Sequence, residues 1–178
     1  MKQMQDAYIV ASTRTAVDRP MSSYPIAAAC DMQIRDFVEA DFDQLVARWH
    51  ETNLASYRYN DVQQRHTLAD ARAFFRTRLL PACDVWVATR WGSLLGMLAF
   101  EAPWIRHFAI FPEHQRQGIG TALLEMARER SPEEIRLFTF QRNAPARAFY
   151  EKHGFVAVAF GISPAPELEP DVEYRWSA

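Results

Sequence analysis

From Met32 onward, hydrophobic and polar positions follow two distinct periods. Met32 to Phe37 reads as a short strand. Phe42, Leu45, Val46, Trp49 and Asn53–Leu54 then recur at i, i+3, i+4 and i+7, the stripe of an amphipathic helix, with Asp41 as its expected N-cap. A second helix is predicted from Thr67 to Leu80, capped by Thr67 with Asp70 three residues on and ended by Pro81. Asp84–Arg90 alternates, with Val85, Val87 and Thr89 on one face. Trp91-Gly92-Ser93 is a turn, and Leu94–Glu101 completes an antiparallel hairpin. Pro103 interrupts the run and Trp104–Phe111 resumes it. A helix follows from about Gly118 to Arg130, then a strand at Ile135–Phe140. Asn143 caps a helix through His153, Pro145 falls in its first turn, and Gly154 stands at the left-handed C-terminal position. Phe155–Phe160 and Val172–Trp176 read as closing strands around a proline-rich loop. The order β α α β β β α β α β β predicts a mostly antiparallel α/β layer fold.

The 178 residues suit one domain of ordinary size. A formal charge of −2, from 20 basic and 22 acidic residues, lacks the basic excess that phosphate neutralisation needs, which disfavours nucleic acid as the partner. Cys30 and Cys83 are isolated, with no metal-ligand spacing, so neither a disulfide framework nor a metal site is expected. No apolar run approaches the roughly 18 residues of a membrane span. The apolar residues near the N-terminus are interrupted by Arg14, Asp18 and Arg19, unlike a signal peptide. The expected compartment is the cytoplasm, without membrane association.

The chemistry concentrates in Phe108–Thr121, FAIFPEHQRQGIGT. A strand ends at Pro112, and a loop delivers Gly118-Ile119-Gly120 to the start of a helix. The first helical N–H groups have no intrahelical partner and carry the positive end of the helix dipole, so the turn is a candidate anion site. Arg116 adds a charge. No lysine follows the glycines, and no third glycine completes GxGxxG, so neither a P-loop nor a dinucleotide fingerprint fits.

Gln115-Arg116-Gln117-Gly118-Ile119-Gly120 resembles the Q/R-x-x-G-x-G/A signature of the GCN5-related N-acetyltransferase (GNAT) superfamily. Ile110-Phe111-Pro112-Glu113 is similar to the segment that leads into that motif. Asn143 through Phe155 is similar to its N-x-x-A-x-x-F-Y-x-x-x-G-F segment, and Pro170–Tyr174 to the last strand of many bacterial members. The resemblance covers about Met32 to Trp176 and departs at Arg116, where many relatives carry glycine.

The resemblance implies an α/β fold: a GNAT-like mixed, mostly antiparallel six- to seven-stranded sheet flanked by about four helices. It implies acetyl-CoA as acetyl donor, without a metal, and transfer to a primary amine by direct attack in a ternary complex. The alternative is a non-catalytic acyl-CoA-binding sensor or scaffold of the same fold. The pyrophosphate is expected on the loop and helix start formed by Gln115, Arg116, Gln117, Gly118, Ile119, Gly120 and Thr121. The pantetheine arm is expected along the backbone near Phe108 and Ile110, with Asn143 bonding the arm and Phe149 flanking it. Tyr150 is the candidate general acid toward the leaving thiolate. Glu101, His107 or a water relay is the candidate base. The acceptor is a small-molecule or protein amine, and the assembly a monomer or homodimer.

Residues 6–15 weakly resemble the opening strand of a thiolase, but the chain lacks that enzyme's length and its cysteine and histidine motifs. Residues 1–30 are therefore expected to form an extension, a loose tail in preference to an edge strand added by Tyr8–Ala11 or a gate docked on the acceptor groove, with the catalytic domain at 31–178.

Overall fold

The computed structural model describes residues 32–178, so the expectations for residues 1–30 fall outside it. Seven strands form one sheet in the order β1-β2-β3-β4-β5-β7-β6. They are β1 (Met32–Asp36), β2 (Asp84–Arg90), β3 (Ser93–Glu101), β4 (Trp104–Ile110), β5 (Glu134–Phe140), β6 (Val156–Ile162) and β7 (Pro170–Ser177). Every neighbouring pair is antiparallel except β4–β5. The helices are α1 (Phe42–Ser56), α2 (Asp61–Arg65), α3 (Leu68–Phe74), α4 (Ile119–Arg130) and α5 (Ala144–Lys152). The mixed, mostly antiparallel sheet matches the expected architecture.

Helices cover both faces of the central strands. On one face Leu45, Val46 and Trp49 of α1 meet Phe75, Val87, Met97 and Phe111. On the other Leu123, Leu124 and Ala127 of α4 meet Trp86, Leu98, Ile135 and Tyr174. Hence β2 and β3 are buried at nearly every position. Burial on both sides erases the alternation that a half-exposed strand would show.

Local signals hold where a side chain and the backbone it serves are close in sequence. Thr67 and Asp70 form a reciprocal capping box, and Asn143 accepts the Ala146 N–H at 3.3 Å. Gly154 ends α5 at φ 80°. Two expectations are corrected. Pro81 does not end the second helix, because a π-helical stretch (Phe75–Leu79) shifts the ladder ahead of it. The chain continues through Leu80–Ala82, and the Cys83 N–H closes on the Leu79 C=O at 2.9 Å. Asp41 does not cap α1 with its side chain. A 3₁₀ turn (Glu39–Asp41) leads into α1, and the Asp41 carboxylate reaches back to the Val38 N–H at 3.0 Å. It also takes both Arg35 nitrogens, at 2.7 and 2.8 Å. The short α2, capped by Asn60 on the Gln63 N–H, had no predictive periodicity at five residues.

The Arg35–Asp41 pair clamps the edge strand to the start of α1. Hydrogen bonding to Arg35, aided by Val38, holds the Asp41 carboxyl below its ordinary value despite burial. A depressed pKa gives stability that is full above about pH 4 and is lost as pH falls below it. Asp41→Ala is expected to cost about 1–2 kcal/mol near neutrality, because it removes both Arg35 contacts to the carboxylate and leaves the Val38 N–H unpartnered, Arg35 keeping only the Asp36 C=O. Thermal unfolding at pH 7 and pH 3 checks this: the variant's deficit at pH 7 should shrink at pH 3.

Candidate functional site

The central feature is the parting of β4 and β5. These parallel strands are in register only at Trp104↔Arg136, with the Arg136 N–H on the Pro103 C=O at 2.8 Å. A register shift between Ala99 and Phe100 pairs them with His107 and Ile105, leaving Arg106 as the extra residue of a bulge. A bulge bends its strand, which carries β4 away from β5. The resulting cleft is lined by Ile105, His107 and Phe108 of β4 and by Leu137, Phe138 and Thr139 of β5. Asn143, Ala146 and Tyr150 on the α5 side and Trp49, Asn53 and Tyr57 on the α1 side complete it.

The open edge of β4 faces this cleft. The Phe111 N–H bonds the Leu95 C=O at 3.0 Å, so Phe111 turns its backbone toward β3. Alternation then turns Ile110 and Phe108 toward the parted side. The Ile110 C=O there accepts the Gln115 side-chain amide at 3.0 Å.

Beyond β4 the chain makes a 3₁₀ turn (Pro112–His114) and enters α4 through two left-handed residues, Arg116 at φ 60° and Gly118 at φ 83°. The backbone N–H groups from Arg116 to Thr121 have no partner among the described residues. The Ala122 N–H is the first to close, on the Gly118 C=O at 3.1 Å. This produces a run of free donors at the positive end of a twelve-residue helix. Arg116 is exposed and in no ion pair among the described residues, while Gln117 is braced by Arg90 and the Glu113 C=O. The left-handed conformation at 116 explains why glycine suits this position: a residue with a Cβ carries about 1–2 kcal/mol of strain there.

Gly120 brings α4 close to α5. A Cβ at this position would lie 3.3 Å from the Phe149 ring. Phe149 also packs edge-on to Phe108, with centroids 5.8 Å apart. The Thr121 hydroxyl is tied to His153 at 3.0 Å. The two motifs read from the sequence thus meet across one helix pair.

Tyr150 is 8% exposed and packs against Phe155 and Tyr174 while lining the cleft. Desolvation, with a smaller effect from Tyr57, pushes its pKa above the ordinary phenol value, so it stays protonated through the neutral range. Asn143 caps α5 as expected, and it also stands on the cleft wall, where the Tyr57 side chain is hydrogen-bonded to it.

The two candidate bases separate. His107 lines the cleft, its ring held edge-on by Trp49 and Phe74 at 5.2 and 5.4 Å. Its Nε2 is buried without a partner, and burial, then Arg106, lowers its pKa to about 4. Glu101 is not on the cleft. It is ion-paired with Arg106 at 2.8 Å beside Cys83, because the β3–β4 turn carries it to the closed end of the strand pair. The structure therefore brings Tyr150, Asn143, Phe108 and His107 to one cleft and leaves Glu101 outside it.

Trp49, Asn53 and Tyr57 were not expected at the site. Their spacing of four residues lines up Trp49 and Asn53 along α1 with Tyr57 at its C-cap, and polar Asn53 on an otherwise apolar stripe was the available signal. Among the described residues no cluster of three or more metal-ligating side chains occurs, and no helix is long and apolar enough to cross a membrane.

Residues 81–157 match the family model of the acetyltransferase (GNAT) domain. The peptidyl-lysine N-acetyltransferase YiaC of Escherichia coli is 32% identical over 87 residues, which cover 48% of this chain and 59% of that protein. The match thus spans less than two thirds of that relative's length. A GCN5-related N-acetyltransferase from Rhodopseudomonas palustris superposes with a TM-score of 0.69 at 20% identity, covering 90% of this chain and all of that one. The spermidine N-acetyltransferase of Vibrio cholerae, solved with CoA and spermine, superposes with a TM-score of 0.64 at 17% identity, covering 84% and 96%. The chain therefore has the fold of the GNAT superfamily, and its residues 81–157 are similar to that superfamily's acetyltransferase domain.

Proposed function

We propose that this protein is an acetyl-CoA-dependent N-acetyltransferase that moves the acetyl group to a primary amine by direct attack. The observation that carries the reading is three features in succession: free N–H donors at Arg116–Thr121 just beyond the end of β4, the open edge of β4, and Tyr150 on the wall of the cleft. The donors suit the pyrophosphate of the substrate, and the strand edge suits its amide-bearing arm. The amine nitrogen attacks the thioester carbonyl. A β4 N–H facing the cleft is suited to the oxyanion that forms. Collapse expels the thiolate, which takes a proton from Tyr150, and the new ammonium loses one to water. Cys83, whose thiol burial pushes up to about 12, is unsuited to an acyl-enzyme step.

Peptidyl-lysine and polyamine acceptors lead the candidates because a curated relative and a structural neighbour are named for them. Calorimetry with acetyl-CoA, followed by assay of CoA thiol release over a panel of lysine peptides, polyamines and amino acids, tests the proposal. Binding without release from any amine would favour the non-catalytic acyl-CoA module instead. Absence of binding would remove both readings.

With His107 lowered to about 4, no neutral-range base faces the amine from β4. The free-amine fraction should then set the rate. For a lysine acceptor, with a pKa of about 10.4, kcat/KM should rise about tenfold per pH unit from pH 6 to 9. A plateau with an inflection between pH 6 and 8 would instead assign a general base and refute the water route.

A further inference from the structure

His153 stands at the C-cap of α5 and reaches the first turn of α4. Nδ1 lies 2.8 Å from the Phe149 C=O, and Nε2 lies 3.0 Å from the Thr121 hydroxyl. The Phe149 ring packs against the imidazole with centroids 4.3 Å apart. Phe149 in turn packs on Phe108 and lies close to Gly120, so the platform under the imidazole is fixed between the two helices.

These contacts decide where the hydrogens lie. A carbonyl oxygen only accepts, so Nδ1 carries a proton. In the neutral ring Nε2 then has a lone pair, and the Thr121 O–H donates to it. The hydroxyl is left with lone pairs alone, and a phosphate oxygen brought beside it meets no proton. In the imidazolium the roles reverse. Nε2–H donates to the Thr121 oxygen, and the hydroxyl proton is released for another acceptor. Thr121 is exposed, and its backbone N–H belongs to the free run Arg116–Thr121. A protonated His153 therefore lets one residue offer two donors, with a positive charge beside them.

The α5 C-terminus favours a cation at this position. From α4, Arg128 donates to the His153 C=O and is paired with Glu125 at 2.6 Å. On α5, Lys152 adjoins the histidine, and Glu151 is engaged by the Tyr174 hydroxyl and by Arg147. From β7, Trp176 carries the Arg128 guanidinium over its ring. Among the described residues no carboxylate pairs with the imidazole, so its counter-charge has to come from a ligand.

We infer that His153 is a phosphate-binding residue for the acyl donor, gaining a proton from solvent as a phosphate of acetyl-CoA docks on Thr121. The inference rests on the acetyl-CoA reading above. It adds a side chain from the Asn143–Phe155 segment to the backbone donors and Arg116, and it makes donor binding proton-linked. Histidine is the side chain able to change charge near neutrality.

Calorimetry of the full chain with acetyl-CoA from pH 6 to 8, in non-phosphate buffers of different ionisation enthalpy, tests this. The wild type should bind about fivefold to tenfold more tightly than His153→Gln at pH 6, with the gap narrowing to about twofold at pH 8. At pH 7 it should also take up about 0.3 proton or more beyond the uptake by His153→Gln. The phosphates of the ligand titrate alike with both proteins, so the difference belongs to the histidine. Thr121→Val leaves the ring and its packing in place and removes only the hydroxyl. It should lose about threefold or more in affinity at pH 6 and less at pH 8, and Thr121→Ser should restore the loss. Equal proton uptake by the wild type and His153→Gln overturns the inference and leaves the acetyl-CoA reading standing. A loss in His153→Gln that is the same at pH 6 and pH 8 makes the histidine a packing residue and overturns it as well, as does a Thr121→Val protein that binds like the wild type at pH 6. A wild type that binds no acetyl-CoA at any pH removes both.

Discussion

Tyr150→Phe should lower kcat by 10²–10³-fold while acetyl-CoA affinity changes by less than about threefold. The substitution removes only the hydroxyl. The ring keeps its contacts with Phe108, Phe149, Phe155 and Tyr174, so the fold and the substrate cleft stay in place. A positioned acid is worth about 10²–10⁴-fold, and an interaction made only in the transition state appears in kcat rather than in binding. The raised pKa of the buried phenol keeps its proton available across the working range. Steady-state kinetics with a lysine-peptide acceptor, paired with calorimetry, separates the two quantities. An unchanged kcat would remove Tyr150 from the chemistry, and a matching loss of affinity would make it a packing residue.

Gly118→Val should raise the dissociation constant for acetyl-CoA by at least tenfold and lower the melting temperature by only a few degrees. No neighbouring atom lies within 4 Å of a Cβ at this position, so the effect arises from the backbone alone. A β-branched residue strongly resists φ 83°, and relaxing it rotates the N–H groups of Ile119, Gly120 and Thr121 away from a shared focus. Arg116→Gly provides the contrast. It relieves the left-handed strain at φ 60°, so stability should hold or rise, but it removes the one charge carried by the loop's Gln115–Gly118 stretch. A loss of about tenfold in affinity, largest at low salt, is expected from one charge-assisted contact near the surface. Calorimetry at 50 and 300 mM salt distinguishes the two variants. If both bind acetyl-CoA like the wild type, the pyrophosphate lies elsewhere.

Much of the fold was legible because its signals are local. The α1 stripe, the Thr67 box, the Asn143 cap and Gly154 each involve residues within four positions, where side chain and backbone meet whatever the rest of the chain does. The glycine turn before α4 and the Asn143–Phe155 segment were legible for the same reason, since each is one continuous stretch. Pro81 and Asp41 misled because a π-helical shift and a preceding 3₁₀ turn moved the hydrogen-bond ladder by one or two residues.

The sequence by itself thus determined the seven strands and the longer helices, their order along the chain, and a run of backbone donors at the start of α4. Only the tertiary structure decided which side chains share the cleft. The bulge at Arg106 reverses the alternation along β4. It leaves Ile105 and Phe108 on one face and puts His107 against Trp49 and Phe74 on the other. Glu101, six residues from His107 in sequence, is carried to the closed end, while Tyr57, ninety-three residues before Tyr150, stands across the cleft from it. A one-residue shift in register moves a side chain through the sheet, and no local pattern encodes it, because its energy lies in packing between segments distant along the chain.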